Sequence, residues 1–568
     1  MAADTLAALL LARAGDDGPG LVFEDRVWSW RTHVAACRTA AAWLNTRAFD
    51  GPPHVGVLCD NVPEMVFLLG GAALSGRVLV AMNPTRSVEE LTRDARATDV
   101  GLLLWDGPYE AVARSVADAL GVTPAPIPDW GSALSTDSDV HDPARNPAAD
   151  VHDPAPNPAT DVRDLDPDGD THVPDPGALV MLIFTSGTSG RPRAVRITHR
   201  KIAVPGVSLA AMLSPTDAVY CAMPLVHSGA VMAAYAPAVA SGAALVLRRR
   251  FSASRLLPDI RRYGCTYLHY VGKALSYVLA TPRRPDDADN PLRLAFGNEG
   301  SATATRRFGE RFGCHVIDAF GSTETAISLS PDPTGPPGCL GRLPLGIEIR
   351  SPLTGLPCPP GRVEDGRLLN PDEAVGELVN TGGLGLFDGY YNDPDADAER
   401  MREGAFWSGD LAYADADGYV FFAGRGTERL RVDGENLAVA PIEAVLREFP
   451  GVIEAAVYPV PDAAAGDQVM AALVLEAPFD PAAFAGFLAS RRDLGTKSFP
   501  RYVRISDSLP QTSSHKVVKR VLVKEGWRTA DPIWWRPTGA EIRLLGGEDV
   551  AAIEREFARH GRQHLLEK

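Results

Sequence analysis

The chain has 568 residues, of which 45% are hydrophobic and 23% are charged, and its formal net charge is −16 at pH 7. A chain of this length is too long to fold around a single hydrophobic core, so several domains are expected. The acidic balance and the lack of a long Lys/Arg run argue against a nucleic-acid partner. The triplet Arg248-Arg249-Arg250 is more typical of a solvated strand end than of a polyanion site.

The cysteines and the N-terminus indicate a cellular compartment. Seven cysteines are scattered without Cys-x-x-Cys spacing, which favours reduced thiols over a disulfide framework or a zinc site. The N-terminus, Met1-Ala2-Ala3-Asp4, lacks the cations of a signal peptide, and no apolar run reaches about eighteen residues. The sequence therefore predicts a cytoplasmic protein with at most peripheral membrane contact.

Residues 21–130 alternate short apolar runs with helical patterns. Strands are predicted at 54–59, 77–82 and 100–105, with a helical pattern over 64–69 and another over 87–99. Strands separated by helices imply βαβ crossovers. This part of the chain is therefore predicted to form a largely parallel sheet.

Between residues 135 and 176 the composition changes to Asp, Pro, Ala and Asn. The sequence Val-His-Asp-Pro-Ala occurs at 140–144 and again at 151–155. Because this stretch has few apolar residues, burial cannot balance the conformational entropy that the chain would lose on folding. We therefore predict a disordered surface insertion. The spacing of His141 and His152 does not match a known pattern of metal ligands, so it does not indicate a metal site. Deleting residues 136–175 is expected to leave activity nearly intact.

An apolar run over 178–183 leads into Phe184-Thr185-Ser186-Gly187-Thr188-Ser189-Gly190-Arg191-Pro192-Arg193. A buried strand followed by hydroxyls and glycines lets the backbone lie close to a ligand and donate many hydrogen bonds, as phosphate binding requires. An ordinary Ser/Gly turn fits this stretch alone equally well. A Walker-type loop does not fit, because Gly190 is followed by Arg191-Pro192 instead of Lys-Ser/Thr.

The alternation resumes after this loop. Strands are predicted near 217–223, 244–247, 267–271, 292–296 and 314–320, and helices at 232–240 and 252–263. Gly/Pro-rich hairpins are predicted between about 331 and 425. The last unit, about 426–568, has strands at 453–458 and 469–475 and its own helices, which indicates a separate α+β domain.

Five stretches, in this order, resemble the motifs of the adenylate-forming superfamily, which includes acyl-CoA synthetases, luciferases and the adenylation domains of peptide synthetases. They are the loop at 184–193, Phe320-Gly321-Ser322-Thr323-Glu324, Trp407-Ser408-Gly409-Asp410-Leu411, Gly424-Arg425 through Gly434-Glu435-Asn436, and Leu509-Pro510-Gln511-Thr512 with Lys516. Smaller features, such as Pro224-Leu225-Val226-His227-Ser228 and Tyr270-Val271-Gly272, resemble the fatty acid transport protein and very-long-chain acyl-CoA synthetase branch. The resemblance covers nearly the whole chain apart from the insertion.

The resemblance implies an α/β fold with two domains. Residues 1–425 would form a large N-terminal adenylation domain of βαβ layers with a β-rich subdomain. Residues 426–568 would form a small, mobile α+β C-terminal domain that carries the catalytic lysine.

The resemblance also implies ATP, Mg²⁺ and CoA as ligands. Thr323 would hydrogen-bond the α-phosphate and Glu324 would help to hold Mg²⁺, although Ser322-Thr323-Glu324 also fits a capped helix start. Asp410 and Arg425 would contact the ribose, although Gly409-Asp410 alone is more typical of a turn. The β- and γ-phosphates would be held by Thr185, Ser186, Gly187, Thr188, Ser189, Gly190 and Arg193, the last in a place where the family usually has Lys. The adenine slot would be formed by Gly297, Asn298, Glu299, Gly300, Asp318 and Phe320.

Lys516 is the leading catalytic candidate. In the family the corresponding lysine bridges the acyl carboxylate and the α-phosphate. An ordinary surface lysine is the alternative, and His515 stands where many members have Gly. The thioester half-reaction would need rotation of the small domain about a hinge at Thr427 and Glu428, and residues 431–436 would then line the path of the thiol.

The resemblance also suggests residues for the acid pocket. His227, Tyr270, Val271, Lys273 and Phe296 are candidates for its wall, with His227 near the mouth and counted among the catalytic residues. A long acyl tunnel should be apolar, because an unpaired buried cation is costly. Lys273 therefore either reaches solvent or pairs with a carboxylate, or it indicates a polar or small substrate.

These features predict an AMP-forming enzyme that activates a carboxylic acid with ATP and transfers it to CoA, the acid being a medium- to very-long-chain fatty acid. The alternative within the fold is adenylation of another oxyacid without CoA transfer, for example an aromatic acid, or nitrite in a diazotase. A catalytically weak binding protein is a third hypothesis. The presence of Glu324, Asp410, Arg425 and Lys516 argues against it.

Overall fold

The computed structural model describes residues 4–131, 174–186, 192–272, 274–298, 300, 302–332, 334–364, 367–425, 429–432, 435–463, 466–491, 494–512, 517–537, 541–560 and 562–566. Most of the predicted insertion, the centre of the phosphate loop, Lys273, the two hinge residues and Lys516 lie outside these ranges.

Strands and helices alternate through the described residues up to Asp318, as the apolar pattern predicts. In chain order they are α1 (Leu6–Leu11), β1 (Pro19–Phe23), β2 (Arg26–Ser29), α2 (Trp30–Asn45), β3 (His54–Leu58), α3 (Pro63–Ser75), β4 (Val78–Ala81), α4 (Val88–Ala97), β5 (Val100–Trp105), α5 (Glu110–Leu120), β6 (Thr123–Pro126), β7 (Leu179–Ser186), β8 (Pro192–Thr198), α6 (His199–Ala210), β9 (Ala218–Cys221), α7 (Ser228–Ala230), α8 (Ala236–Ser241), β10 (Ala244–Leu247), α9 (Leu256–Tyr263), β11 (Tyr267–Val271), α10 (Ala274–Leu279), β12 (Leu294–Asn298), α11 (Ala302–Phe312) and β13 (His315–Asp318).

These strands form two mostly parallel sheets. One has the order β13-β12-β11-β9-β10-β1-β2 and the other β6-β5-β3-β4-β7-β8. The antiparallel pairs are β1–β2 and β7–β8, each a hairpin at an edge of its sheet. The predicted parallel α/β architecture is thus confirmed.

Helices α2 and α3 pack between the two sheets. One hydrophobic cluster contains residues of both helices together with Leu245 of the first sheet and Val55 of the second. The helices approach closely because Gly71 faces α2: a Cβ added there would lie 2.7 Å from the Cβ of Ala40. A larger side chain at residue 71 would therefore push the two sheets apart.

The helix predicted over 232–240 is confirmed, but its first part is π-helical. A π-helical turn, Val231–Tyr235, precedes α8. Pro237 has no N–H to donate to the carbonyl of Ala233, four residues earlier. That carbonyl instead accepts a hydrogen bond of 2.9 Å from the Tyr267 hydroxyl on β11, so the irregular turn is fixed against the first sheet.

Two buried imidazoles are predicted to make stability depend on pH. Burial lowers the pKa of His33, whose Nε2 lies 3.1 Å from the Tyr235 hydroxyl, to about 3, and that of His269 to about 4. Unfolded histidine titrates near 6.5, so below that pH the unfolded state binds protons that the folded state does not. The free energy of unfolding should therefore fall by about 2 kcal/mol per buried imidazole between pH 6.5 and pH 5.

Urea unfolding at pH 7, 6 and 5 tests this prediction. His33→Gln should lose its share of the pH dependence, whereas the control His315→Gln, at an exposed position, should keep the dependence of the parent protein. Equal pH dependence in His33→Gln and the parent protein would show that His33 does not titrate as described.

The second half of the chain begins with antiparallel hairpins, as predicted. Its elements are β14 (Cys339–Arg342), β15 (Ile347–Arg350), β16 (Val363–Glu364), β17 (Arg367–Leu368), α12 (Pro371–Ala374), β18 (Gly376–Asn380), α13 (Pro394–Arg400), β19 (Met401–Arg402), β20 (Ala405–Ala414) and β21 (Tyr419–Arg425). Strands β14, β21, β20, β18 and β15 form one sheet in that order, with β19 paired to β20.

The C-terminal part is smaller and has its own sheet and cores. Its elements are β22 (Arg429–Val432), β23 (Glu435–Ala438), α14 (Val439–Leu446), β24 (Val452–Pro461), β25 (Asp467–Leu475), α15 (Pro481–Ser490), β26 (Tyr502–Ile505), α16 (Lys519–Glu525), β27 (Ile533–Trp535), β28 (Arg543–Leu544) and α17 (Gly547–Arg559). The sheet order is β24-β25-β26-β27-β28. Two hydrophobic clusters consist of residues of this part. The exact boundary between residues 425 and 426 stays a prediction.

The basic triplet at 248–250 lies beside acidic residues. Arg248 lies 3.1 Å from Asp259, Arg249 lies 3.7 Å from Asp106, and Arg250 lies 2.9 Å from Asp60. Each arginine of the basic triplet is therefore paired with a carboxylate.

Among the described residues, no helix is long and apolar enough to cross a membrane.

Candidate active site

The phosphate loop joins the two strands of an edge hairpin. In the β7–β8 pair Thr185 lies opposite Arg193 and Ser186 opposite Pro192. The strand predicted to end near residue 183 continues to Ser186, because β8 returns antiparallel and pairs with it. Gly187, Thr188, Ser189 and Gly190 lie outside the described residues, so their predicted role stays a prediction.

Arg193 is a buried cation at the foot of this loop. It is 6% exposed, it is ion-paired with Glu399, and its guanidinium lies 5.5 Å from the centre of the Tyr390 ring. The second terminal nitrogen, Nη1, has no hydrogen-bond partner among the described residues. A buried donor of this kind fits an anionic ligand. Glu399 belongs to no motif, and nothing in the sequence singles it out.

The segment after β13 brings Thr323 to the start of α7. The hydroxyl oxygens of Thr323 and Ser228 lie 3.0 Å apart, and Ser228 follows His227 directly. Thr325 has φ of 55°, a left-handed conformation, and no helix begins at these residues within 302–332. The alternative interpretation of Ser322-Thr323-Glu324 as a capped helix start is therefore wrong.

Glu324 is held at two points. The Tyr390 hydroxyl donates to its Oε1 at 2.9 Å, and Nζ of Lys201 donates to its backbone carbonyl at 2.8 Å. Lys201 is fully buried, and burial lowers the pKa of its ammonium to about 8. Neither Lys201 nor Tyr390 belongs to a motif used in the sequence analysis. The signal that could have found Lys201 is a lysine on the buried side of α6, beside Ile202 and Ala203.

Replacing Lys201 with methionine should slow adenylate formation about ten-fold, the cost of losing one hydrogen bond from a charged donor. The methionine side chain fills similar space, so the thermal unfolding temperature should change little. Pyrophosphate release with a fatty acid and ATP measures the effect, and Lys201→Arg should recover part of it. Full activity in Lys201→Met would show that the lysine is not needed to hold Glu324.

Asp410 and Arg425 occupy opposite positions on two adjacent strands. They are register partners in the β20–β21 pair, and Asp410 is 7% exposed. Gly409-Asp410 is not a turn, because both residues lie inside β20, where the pairing with β18 is irregular. Gly409 has φ of 76°, and its N–H donates to Glu377 at 2.6 Å. The irregularity re-aims the Asp410 side chain, as β-bulges commonly do.

The predicted adenine-slot residues lie where β12 and β13 end. Oδ1 of Asp318 accepts hydrogen bonds from the Tyr270 hydroxyl at 2.8 Å and from the Gly300 N–H at 2.9 Å. Oδ1 of Asn298 is buried and has no partner among the described residues. The ring of Phe320 lies 6.4 Å from that of Phe422.

The structure gives Gly297 a packing role. A Cβ there would lie 2.2 Å from the carbonyl oxygen of Tyr270 on the neighbouring strand. The glycine is therefore required by close packing inside the sheet, and its predicted contact with adenine stays a prediction.

The acid-pocket candidates lie on two faces of the first sheet. Phe296 and His269 are register partners on β12 and β11, and a Cβ at Gly229 of α7 would lie 2.7 Å from His269 Nε2 and 3.6 Å from Val271. Tyr270 points to the opposite face, because side chains alternate along a strand and its hydroxyl binds Asp318. His269, which the sequence analysis did not select, thus lies on the face of Phe296 and Val271. Lys273 lies outside the described residues.

A cavity of about 1660 Å³ lies between two parts of the molecule: the larger part, which comprises the described residues up to 425, and the smaller part, which comprises those from 429 onward. Asn298, Asp318, Phe320 and Asp410 line it from the larger part. From the smaller part it is lined by Thr512 and Val517, on either side of the segment that contains Lys516. The structure thus brings residues of three separate motifs to one cleft. Lys516 itself is outside the described residues.

This architecture is that of adenylate-forming enzymes. The crystal structure of ATP-bound MatB from Rhodopseudomonas palustris has the same fold, with a TM-score of 0.76 and 22% identity over 92% of this chain and 98% of that chain. The protein belongs to the AMP-binding enzyme family: the family model matches residues 11–391, and the model of the AMP-binding enzyme C-terminal domain matches residues 441–516. The predicted family and fold class are confirmed.

Two relatives match almost from end to end. The chain is 46% identical over 540 residues to medium/long-chain-fatty-acid–CoA ligase FadD17 of Mycobacterium marinum, covering 94% of this chain and 99% of the relative. It is 41% identical over 574 residues to steroid-22-oyl-CoA synthetase of Rhodococcus jostii, covering 99% of both.

Proposed function

We propose that the protein is an ATP-dependent, AMP-forming ligase that joins a medium- or long-chain fatty acid to CoA. The observation that carries the proposal is the 46% identity, along nearly the full length, to a ligase named for this reaction. The cleft that gathers residues of three motifs supports it. The proposal includes a cytoplasmic location, which the free cysteines of the described residues support.

The residues present fit ATP as the substrate. Buried Oδ1 of Asn298, without a partner among the described residues, suits the exocyclic amine of adenine. The unpartnered Nη1 of Arg193 suits a phosphate oxygen. Buried Asp410 suits the ribose hydroxyls.

In the first half-reaction a carboxylate oxygen of the acid would attack the α-phosphorus of ATP. The bond from this phosphorus to the oxygen that bridges to the β-phosphate would break, and pyrophosphate would leave. Thr323 would donate to the α-phosphate, and Lys516 would stabilise the charge that develops between the acid and the phosphate. Glu324 would hold Mg²⁺, which when bound neutralises phosphate charge.

In the second half-reaction the sulfur of CoA would attack the acyl carbon. The bond from that carbon to the phosphate oxygen of AMP would break, AMP would leave with that electron pair, and the thiol proton would pass to solvent. We propose that residues 426–568 turn as a body about Thr427 and Glu428 between the two steps, and that the boundary lies at 425/426. Both hinge residues lie outside the described part of the chain.

A second candidate acid is a steroid carboxylate. The relative named steroid-22-oyl-CoA synthetase is 41% identical over 99% of both chains, and a steroid, like a fatty acid, is mostly apolar. The side chains of Phe296 and Val271 would suit either acid.

Pyrophosphate release over a panel of acids, with and without CoA, tests the proposal. Dodecanoate, palmitate, a steroid-22-oate, benzoate and nitrite cover the alternatives. CoA-dependent turnover with the fatty acids is expected. Turnover confined to the steroid acid would favour the second candidate, and adenylate that never becomes a thioester would contradict the ligase. Nitrite-dependent AMP production with an amine would indicate the diazotase.

A further inference from the structure

Three polar side chains connect the two parts of the molecule. Tyr277 lies on α10 of the larger part, and Glu454 lies on β24 of the smaller part. The Tyr277 hydroxyl donates to Oε1 of Glu454. Nε2 of Gln511, also in the smaller part, lies 2.7 Å from the same carboxylate oxygen and 2.6 Å from the Tyr277 hydroxyl oxygen. Glu454 is 3% exposed, so its charge is bound where little water competes, which makes these hydrogen bonds strong.

Gln511 is also fixed at the base of the segment that contains Lys516. It forms an antiparallel bridge with Val517, and the Val518 N–H donates to the carbonyl of Pro510 at 2.7 Å. Gln511 and Val517 therefore hold the two ends of the intervening segment side by side. The side chain of Gln511 then joins this base directly to Tyr277 of the larger part.

The residues that follow this segment are fixed within the smaller part. Nζ of Lys519 lies 2.9 Å from Oε1 of Glu443, and the same oxygen accepts a hydrogen bond of 2.8 Å from the Val457 N–H. Lys519, after the segment, is thus bound to its own part, whereas Gln511, before the segment, is bound to the larger part. Among the hydrogen bonds described here, those of Tyr277 join the two parts and so depend on how the parts are oriented.

We propose that Tyr277 is a positioning residue for adenylate formation: it fixes Gln511, which immediately precedes the stretch that leads to Lys516, against the larger part. The inference rests on the proposed function. Tyr277 is half-buried, and its hydroxyl joins the two parts through hydrogen bonds, which can break and re-form when the parts move. Loss of the hydroxyl should slow the step that uses Lys516 and spare the step that does not.

Tyr277→Phe tests this in single-turnover measurements of the two half-reactions. Pyrophosphate release from ATP and dodecanoate without CoA should be about ten-fold slower, as expected for a lost hydrogen bond to a charged group. Thioester formation from synthetic dodecanoyl-adenylate and CoA should stay within about two-fold of the parent protein, a tolerance of a few tenths of a kcal/mol. A structural defect would slow both steps.

Tyr109→Phe is the matched control. It removes a hydroxyl that also donates to a carboxylate, Asp60 at 2.8 Å, but both residues belong to the larger part. Both of its half-reactions should match the parent protein. Gln511→Leu is the second variant, and its effect should not add to that of Tyr277→Phe, because the two residues share one contact.

The outcomes separate this inference from the proposed function. If the parent protein forms no adenylate with any acid, the proposed function fails. If the parent protein forms adenylate and Tyr277→Phe forms it equally fast, or loses both half-reactions equally, the positioning role is overturned. Additive effects of Tyr277→Phe and Gln511→Leu would also overturn it.

Discussion

Lys516→Ala is expected to reduce pyrophosphate release from ATP and a fatty acid by about a hundred- to a thousand-fold, the usual cost of removing one group that stabilises transition-state charge. Negative charge develops between the carboxylate and the α-phosphate as the new bond forms, and alanine offers nothing to balance it. Binding of ATP should be nearly unchanged, because the groups proposed to contact adenine, ribose and the terminal phosphates remain. Rapid-quench measurement of adenylate, with ATP binding followed by calorimetry, distinguishes the two effects.

Lys497→Ala is the control for this prediction. It removes a lysine of the same small part, in the short helical turn Thr496–Ser498, that is not among the residues lining the cleft. Its adenylation rate should equal that of the parent protein. Thioester formation from synthetic adenylate should survive in Lys516→Ala, and unchanged pyrophosphate release in that variant would refute the catalytic role of the lysine.

The alternation of apolar runs and helical patterns was sufficient to predict the βαβ architecture. The predicted strand at 100–105, for example, matches β5, because burial on both faces of a parallel sheet produces a near-continuous apolar run. The structure differs in detail from the predicted elements where a contact distant in sequence determines the local structure. Strand β7 extends to Ser186 because β8 pairs with it, and the helix predicted at 232–240 begins as a π-turn whose Ala233 carbonyl binds Tyr267.

The same limit applies to the candidate site. Motifs selected Asn298, Asp318 and Asp410, which the structure brings to one cleft. The residues that hold the site in place were not predicted. Lys201 and Tyr390 reach Glu324 from positions more than sixty residues away, and single-sequence patterns carry no information about such pairs. Alternation along β11 could have separated Tyr270 from Val271, because adjacent residues of a strand face opposite sides.

Glu324→Gln is expected to reduce adenylate formation about a hundred-fold and to raise the Mg²⁺ concentration needed for half-maximal rate. Glutamine keeps the shape of the side chain, and its carbonyl oxygen can still accept the hydrogen bond that Tyr390 donates to Oε1. What is lost is the negative charge that a hard divalent cation prefers. Mg²⁺ titrations of both the rate and the binding of ATP should therefore shift together.

Two comparisons show whether this charge acts through the metal. Tyr390→Phe frees the carboxylate but leaves its charge, so its effect should be smaller, about ten-fold or less, the cost of one hydrogen bond to a charged group. Glu310→Gln, which removes a carboxylate from an exposed ion pair with Arg306 on α11, should change neither rate nor Mg²⁺ dependence. If Glu324→Gln lowers the rate while its Mg²⁺ dependence stays that of the parent protein, Glu324 is not a metal ligand. Its charge would then act only through the loop that Lys201 and Tyr390 hold.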